Sequence, residues 1–338
     1  MDTVRLICPN TDLPKETRIN MIFDNFNQWL NVDEFQELVK LFGGCIDSKV
    51  EVFSKLEYLK NDFIDIWDYR KHQKEAKTKE GEAARWLLQN DKITLDNKDL
   101  IYSCSKKLGL IGIDESIIKN PDYILPLGGA RMSNLRRCEL AKNIASKANK
   151  PVAIIALSGM RPISDSEKEA TNSYAPNAKT EYDVICKGMK TAFSNITSEN
   201  ETQSINPNPN LSYSIKEFYT ENVNGNYLSA IAAPSTDPSR RANSADCFQF
   251  FFEKFHIKKG SKIINCTSQI YCTYQQVKSM QYAIEHDVQF DTIGFPFYLN
   301  KVKPNPSDIS SLSKPVNYLQ EIKATIDAMY EFMIMYRL

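Results

Sequence analysis

The chain changes its hydrophobic pattern near residue 118. Before that point, apolar residues recur every three or four positions. Residues 32–44, VDEFQELVKLFGG, show this spacing and end in two glycines, which predicts an amphipathic helix with a glycine C-cap. Residues 49–70 continue the same spacing. The first part of the chain is therefore predicted to be helical.

From about residue 120, short apolar runs alternate with amphipathic stretches. The runs are 122–127, 151–157, 227–233, 262–266 and 290–295. Most of them are rich in β-branched residues, which suits buried parallel strands. Alternation of such strands with helices predicts an α/β fold: a Rossmann-like, doubly wound, mostly parallel sheet with a helical N-terminal region.

This pattern predicts three parts of the chain. Residues 1–118 form a helical N-terminal region, and 119–300 form the Rossmann-like domain. Residues 301–338 form a C-terminal segment whose amphipathic helix packs on the core. The polar, asparagine-rich stretch 198–212 interrupts the second part and is predicted to be a long loop or partly disordered.

Composition narrows the classes of partner. The chain has 42 Lys+Arg and 42 Asp+Glu, so its formal net charge is zero. Nucleic-acid and membrane-surface proteins normally carry a basic excess, so neither partner is expected. The N-terminus lacks the signal-peptide pattern, and no apolar run reaches the ~20 residues of a membrane span. The eight cysteines show no CxxC pair, which predicts reduced thiols in a cytoplasmic protein and no metal site.

Small, hydroxyl-bearing and basic residues follow four successive strands. In an open parallel sheet these loops meet at the edge where ligands bind. Arginine binds phosphate or carboxylate, and glycine turns and helix N-termini offer backbone N–H groups. The sequence therefore predicts a site for an anionic small molecule, cradled in part by the N–H groups of the turns. The predicted ligand-binding residues are Gly128, Gly129, Arg131, Ser158, Gly159, Arg161, Ser239, Arg240, Arg241, Asn243, Thr267, Ser268 and Tyr271.

A structural interpretation of the same residues stays open. Ser, Asp and Asn are ordinary helix caps, and the paired arginines Arg240 and Arg241 can simply be solvent-exposed. Both are predicted to stand in the first turn of a helix, however, where a cation opposes the helix dipole. That position favours a functional role for the pair.

Candidates for acid–base catalysis are few. The three histidines lie outside the predicted strand-to-helix loops, and no GxSxG motif is present, which argues against a Ser-His-Asp hydrolase. Glu181 and Asp246 remain as predicted catalytic residues. Either can instead be structural, Glu181 as a first-turn carboxylate on the helix dipole and Asp246 as a surface ion pair.

The order of four motifs resembles the ElyC/SanA/YdcF-type family, also known as domain of unknown function 218. The motifs are LPLGGARMSN, LSGMRPIS followed by KTEYDVICKGM, STDPSRRANSAD and INCTSQIYC, within residues 120–296. The resemblance implies a Rossmann-like fold. Because S-adenosylmethionine binding has been proposed for one soluble member of that family, the resemblance also implies S-adenosylmethionine as a ligand. The family positions fall on Gly128, Gly129, Ser158, Gly159, Glu181, Ser239, Arg240, Arg241, Asn243, Ser244, Thr267 and Ser268. RRANS stands here where the family usually has SRNT.

Three functions are compatible with these patterns. The first is a cytoplasmic hydrolase or transferase that acts on a nucleotide-like or other phosphate- or carboxylate-bearing ligand. The second is a non-catalytic sensor of S-adenosylmethionine or a nucleotide, with the helical region as its output. The third is an interaction scaffold that uses the N-terminal helices. The substrate, the cofactor and the oligomeric state do not follow from the sequence.

Overall fold

The computed structural model describes residues 3–73, 87–220, 225–295 and 314–337. The helices in these ranges are α1 (Lys15–Leu30), α2 (Asp33–Leu41), α3 (Val52–Tyr58), α4 (Tyr69–His72), α5 (Lys92–Asp96), α6 (Lys98–Lys107), α7 (Ser133–Ala145), α8 (Asp165–Thr171), α9 (Glu181–Ala192), α10 (Ser244–Lys254), α11 (Cys272–Glu285) and α12 (Pro315–Tyr336). The strands are β1 (Tyr123–Pro126), β2 (Ala153–Gly159), β3 (Ile196–Ser204), β4 (Tyr213–Thr220), β5 (Tyr227–Ala233), β6 (Lys262–Ser268) and β7 (Gln289–Phe295).

These elements divide into two units, a helical one and an α/β one. The helical unit consists of Met1–Asp114, Gln269–Ile284 and Pro296–Leu338. The α/β unit consists of Glu115–Ser268 and Glu285–Phe295. The chain thus leaves the α/β unit after β6, contributes most of α11 to the helical unit, and returns for β7.

The helical unit confirms the periodicity of the first part of the chain. Residues 32–44 form α2 and its glycine exit, where Gly43 has φ +85°. From Val52 the predicted stretch 49–70 is largely helical but not continuous, because a π-helical turn over Leu59–Phe63 and a 3-10 turn over Ile64–Trp67 separate α3 from α4. The Trp67 ring is fully buried in this unit. Within the unit, α12 contacts α6 and α3.

The α/β unit contains a seven-stranded sheet within its described residues. The strand order is β3-β4-β5-β2-β1-β6-β7. Five neighbouring strands, in the order β5-β2-β1-β6-β7, pair in parallel. Strands β3 and β4 form an antiparallel hairpin that pairs with β5 and ends the sheet on that side. The predicted α/β, Rossmann-like, mostly parallel fold is confirmed. The five predicted apolar runs correspond to β1, β2, β5, β6 and β7.

The order of the parallel strands fixes where a ligand crevice can form. The connection from β1 to β2 runs toward one edge of the sheet, whereas the connection from β5 to β6 runs toward the other. Because strand crossovers are right-handed, α7 and α9 lie on one face and α10 on the opposite face. The reversal point is therefore between β1 and β6. In such sheets ligands bind at the carboxyl ends of the two strands that flank this point.

The prediction of a long loop over residues 198–212 is wrong for residues 198–204, whereas residues 205–212 do form a loop with a 3-10 turn over Pro209–Leu211. Residues 196–204 form β3, whose side chains are exposed along nearly its whole length, and pair antiparallel with β4. A strand that is solvated on both faces has no apolar alternation, so its sequence reads as a polar loop. Only the pairing with β4 makes this segment a strand.

Three further features concern the whole described chain. None of its described helices is long and apolar enough to cross a membrane. The eight cysteines are all free thiols, and all but Cys45 are buried. The described residues contain no group of three or more His, Cys, Asp or Glu side chains that could hold a metal ion.

Candidate functional site

The two glycines after β1 make room for two side chains of the protein itself. A methyl group added at Gly128 would overlap Oε1 of Glu181. A methyl group added at Gly129 would lie 2.6 Å from Nη1 of Arg137. The turn is therefore enclosed by a carboxylate near one glycine and a guanidinium near the other. Both glycines are needed because any Cβ would displace a charged group.

The backbone N–H groups of this turn are already bonded within the protein. Gly128 N donates to the carbonyl oxygen of Leu157 at 2.5 Å. Gly129 N donates to Oδ1 of Asn134 at 2.9 Å, and Asn134 Nδ2 donates back to the Gly129 carbonyl at 2.6 Å. The turn is consequently rigid, and these two N–H groups do not form the anion cradle that the sequence predicted.

Arg137 of α7 joins the two strands at the reversal point of the sheet. Its Nη1 donates to the carbonyl oxygens of Leu127, at 2.7 Å, and of Gly128. Its Nη2 donates to Oγ of Ser268, the last residue of β6, at 3.1 Å. The residue is only 3 % exposed. A buried guanidinium thus lies between the carboxyl ends of β1 and β6, where the fold provides its ligand crevice.

Arg161, which follows β2, is held by two carboxylates. Its guanidinium binds Glu167 in a bidentate manner, with distances of 2.9 and 2.7 Å, and its Nε binds Oε2 of Glu181 at 2.9 Å. Burial by itself raises the pKa of Glu167, but the hydrogen bonds and charge of Arg161 outweigh it and lower that pKa. Burial likewise opposes ionisation of Arg161, yet the charges of Glu181 and Glu167 raise its pKa. Glu167 and Arg161 are therefore both charged at neutral pH.

Glu181 is the carboxylate that faces the glycine turn. It is the first residue of α9, as the sequence predicted, and its backbone N donates to the Arg161 carbonyl at 2.8 Å. Arg161 holds Oε2, whereas Oε1 makes no hydrogen bond to any residue that the structure describes. The side chain is 14 % exposed. Glu181 thus has one oxygen held by Arg161 and a second oxygen, Oε1, that faces the glycine turn at the carboxyl edge of the sheet.

The loop between β5 and α10 is organised around Asp246. Both carboxylate oxygens accept hydrogen bonds from backbone and side-chain donors of the loop, and Arg240 binds them in a bidentate manner at 2.5 and 3.1 Å. Burial opposes the charge, but the hydrogen bonds from Arg240 and Thr236 lower the pKa of Asp246 to about 2. Every oxygen of this carboxylate is engaged, so its geometry is that of a structural anchor.

The dipole argument for the paired arginines does not hold. Helix α10 begins at Ser244, and Asn243 is its N-cap, with its side chain accepting from the N–H groups of Ala245 and Asp246. Arg240 and Arg241 consequently precede the helix and do not stand in its first turn. Arg240 is neutralised by Asp246, and Arg241 is exposed.

The same loop lies against the end of β2. A methyl group at Gly159 would lie 3.3 Å from Cβ of Ala242. The thiol of Cys247 donates to the Ser158 carbonyl at 3.4 Å. Burial, followed by the charges of Glu181 and Asp246, raises the pKa of Cys247, so the group remains a thiol and is not an activated nucleophile.

The remaining predicted residues have varied surroundings. Ser158 Oγ donates to the Ile231 carbonyl at 2.8 Å, which makes it part of the sheet core. Ser239 is exposed and bonds Asp237. Thr267 is buried in β6 and pairs with Gly294. Tyr271 is half-buried in a 3-10 turn of the helical unit.

Most of the predicted residues therefore form two groups that touch at the end of β2, whereas Thr267 is buried within β6 and Tyr271 belongs to the helical unit. The first group surrounds the glycine turn, and the second forms the β5–α10 loop. Four residues near these groups were not anticipated from the sequence: Asn134, Arg137, Glu167 and Tyr174, whose Oη donates to the Arg131 carbonyl oxygen at 3.2 Å. A signal for Arg137 exists, because it falls on the same face of α7 as Asn134 and Ala141, which are both buried.

Comparison with known proteins gives similarity without a function. Residues 14–109 match the family model described as the Rv3785 N-terminal domain. The chain is 26% identical over 340 residues to the "Uncharacterized protein Rv3785" of Mycobacterium tuberculosis strain H37Rv, covering 96% of this chain and 93% of the relative. The "Uncharacterized protein Mb3814" of Mycobacterium bovis matches with the same identity and coverage. No solved structure matches the chain.

These comparisons correct the resemblance drawn from the motifs. The matching family model is that of the Rv3785 N-terminal domain, and no model of the ElyC/SanA/YdcF-type family matches. The shared motif order reflects what any Rossmann-like sheet places after its strands, namely small and polar residues at the loop edge. The expectation of S-adenosylmethionine, which came from that resemblance, loses its basis.

Proposed function

We propose that the α/β unit is a cytoplasmic enzyme, a hydrolase or transferase, that acts on a phosphate- or carboxylate-bearing small molecule such as a nucleotide. The ligand lies at the carboxyl ends of β1 and β6. One observation carries the proposal: Oε1 of Glu181, which makes no hydrogen bond to the described residues, and the buried guanidinium of Arg137 enclose the same glycine turn at the reversal point of the sheet.

The two charged groups suit complementary tasks. Arg137 contributes a fixed positive potential beside Ser268, and α7 begins just after the turn with no side chain capping it. Positive potential and the amino end of a helix both favour a bound anion. Glu181 has one oxygen fixed by Arg161, so its other oxygen is oriented to accept a proton from a water molecule or a ligand hydroxyl group.

Asp246 has a different task in this proposal. A carboxylate with a pKa of about 2 is a weak base at neutral pH, and both of its oxygens bind the loop. It holds the β5–α10 loop against the end of β2, and Glu181 remains as the acid–base residue.

A ligand screen followed by one substitution tests the proposal. The full chain is screened by thermal shift against nucleotides, sugar phosphates and inorganic pyrophosphate, and each stabilising compound is then assayed for turnover by mass spectrometry. Glu181→Gln preserves the size of the side chain but cannot accept a proton. We expect it to retain binding and to lower turnover by about 10²- to 10⁴-fold. Glu169→Gln, an exposed carboxylate on α8, is the matched control.

The outcomes separate the alternatives. Stabilisation of the wild-type chain by a compound that is never converted favours a sensor over an enzyme. Equal turnover in Glu181→Gln and wild type removes Glu181 from the chemistry. The absence of any stabilising anion refutes the proposed site itself.

A further inference from the structure

Arg131 adopts a backbone conformation that its side chain disfavours. Its φ is +57°, and among the described residues the only other non-glycine residue with positive φ is Asp287, at +55°. Asp tolerates the left-handed region because its short side chain bonds locally, whereas for arginine this conformation is uncommon. Glycine would relieve the strain at no steric cost. The position nevertheless carries an arginine, two residues after the glycine turn.

Tyr174 holds the backbone of this strained residue. Its Oη donates to the Arg131 carbonyl oxygen at 3.2 Å, across 43 residues of sequence. The Tyr174 ring packs on a small apolar cluster formed by the segment between β2 and α9 and by α9 itself. The buried members of that cluster are Ile163, Ala175, Ala178 and Val184.

The excursion that carries Tyr174 is fastened to the sheet edge. Its two ends pair with each other, since Ile163 N donates to the Lys179 carbonyl at 3.0 Å and Glu181 N donates to that of Arg161 at 2.8 Å. The bidentate ion pair between Arg161 and Glu167 lies at its base. Tyr174 therefore projects from a rigid platform and not from a loose loop.

We infer that Arg131 binds the anionic group of the ligand and that Tyr174 is a positioning residue that keeps Arg131 in its strained conformation. The inference rests on the proposed function. Strain of this kind persists where the surrounding structure over-determines it, and it clusters at ligand-binding sites. Here the turn, the hydrogen bond and the start of α7 determine the backbone, and the half-buried Arg131 follows β1 at the carboxyl edge of the sheet.

The first arm of the test measures stability without a ligand. Arg131→Gly relieves the left-handed strain but makes the unfolded chain more flexible, so the melting temperature is expected to stay equal or to rise by about 1–2 °C. Asp287→Gly is the matched control, because it changes the same kind of backbone position just before β7, at the opposite edge of the sheet. A clear fall in the melting temperature for Arg131→Gly alone means that the arginine serves the fold, and this overturns the inference.

The second part of the test measures whether Arg131 binds the negatively charged group of the ligand. Calorimetric dissociation constants for AMP and for adenosine are compared in the same chain. Arg131→Gly is expected to weaken the binding of AMP by about 10- to 100-fold, the range of a charge-assisted hydrogen bond, and to change the binding of adenosine little. Tyr174→Phe keeps the ring on its cluster and is expected to weaken AMP by about 2- to 10-fold, again without a matching loss for adenosine. Arg136→Gln, which removes a neighbouring half-exposed charge, is expected to change neither.

Each result decides a separate question. Parallel losses of AMP and adenosine affinity indicate a merely structural role and overturn the inference, as does an unchanged AMP affinity in Arg131→Gly. If the wild-type chain binds no AMP, the proposed function fails for nucleotides. The comparison of melting temperatures then decides by itself whether the arginine is retained at the expense of stability.

Discussion

Replacing Asp246 by asparagine tests whether this carboxylate is an anchor of the β5–α10 loop. The change keeps the shape of the side chain, removes its charge and places an NH₂ group where donors already converge. Those donors are the backbone N–H groups of Thr236 and Asn243, the Thr236 hydroxyl, and both Nη atoms of Arg240.

The size of the effect follows from the pKa of Asp246. The pKa falls from 3.8 to about 2 in the folded chain. At about 1.4 kcal/mol per pH unit, this difference corresponds to about 2 kcal/mol of folding stability at neutral pH. The mismatched amide adds the cost of a poorly satisfied buried polar group, so Asp246→Asn is expected to lose about 3 kcal/mol at pH 7.

The pH dependence has a definite sign. The folded pKa lies below the unfolded one, so the stabilisation is complete above pH 3.8 and is lost as the pH falls toward 2. The gap between wild type and Asp246→Asn should therefore shrink by about 1 kcal/mol between pH 7 and pH 3.

Urea denaturation of both proteins at pH 7, 5, 4 and 3 measures this gap. Asp237→Asn, in the same loop, is the control, and it should change the unfolding free energy little because its side-chain contacts are with exposed Ser239. A gap below about 0.5 kcal/mol at pH 7, or one that stays constant down to pH 3, would refute the reasoning.

Two further predictions concern the same edge of the sheet. Gly128→Ala should lower the melting temperature and displace the Glu181 carboxylate, which a crystal structure of the variant would reveal; Gly188→Ala, whose methyl group meets its nearest atoms at 3.4 Å, should be tolerated. The double change of Asn208 and Asn210 to alanine should speed hydrogen exchange in the β5–α10 loop. Both side chains donate to the Pro238 carbonyl oxygen of that loop, at 2.9 and 3.1 Å. Unchanged exchange would show that the loop does not depend on this brace.

The location of the candidate site was predictable from the sequence, but the hydrogen bonds and ion pairs between its residues were not. The edge after β1, β2, β5 and β6 followed from the strand pattern, and Glu181 was placed correctly at the start of a helix. The partners of Arg161 were not predictable, since Glu167 and Glu181 stand 6 and 20 residues further along the chain. The glycines were expected to admit a ligand, whereas they admit side chains from α9 and α7.

The sequence by itself determined the elements, because hydrophobic periodicity is a local property that each segment carries on its own. It also determined that strands alternate with helices, and hence that a mostly parallel sheet forms with its loops at a common edge. The tertiary structure alone decided that residues 196–204 pair as β3, and that Arg161 and Arg240 bind carboxylates of their own chain. Strand pairing and ion pairing depend on distances across the fold, and a polar segment or a charged side chain carries no local mark of the partner it will meet.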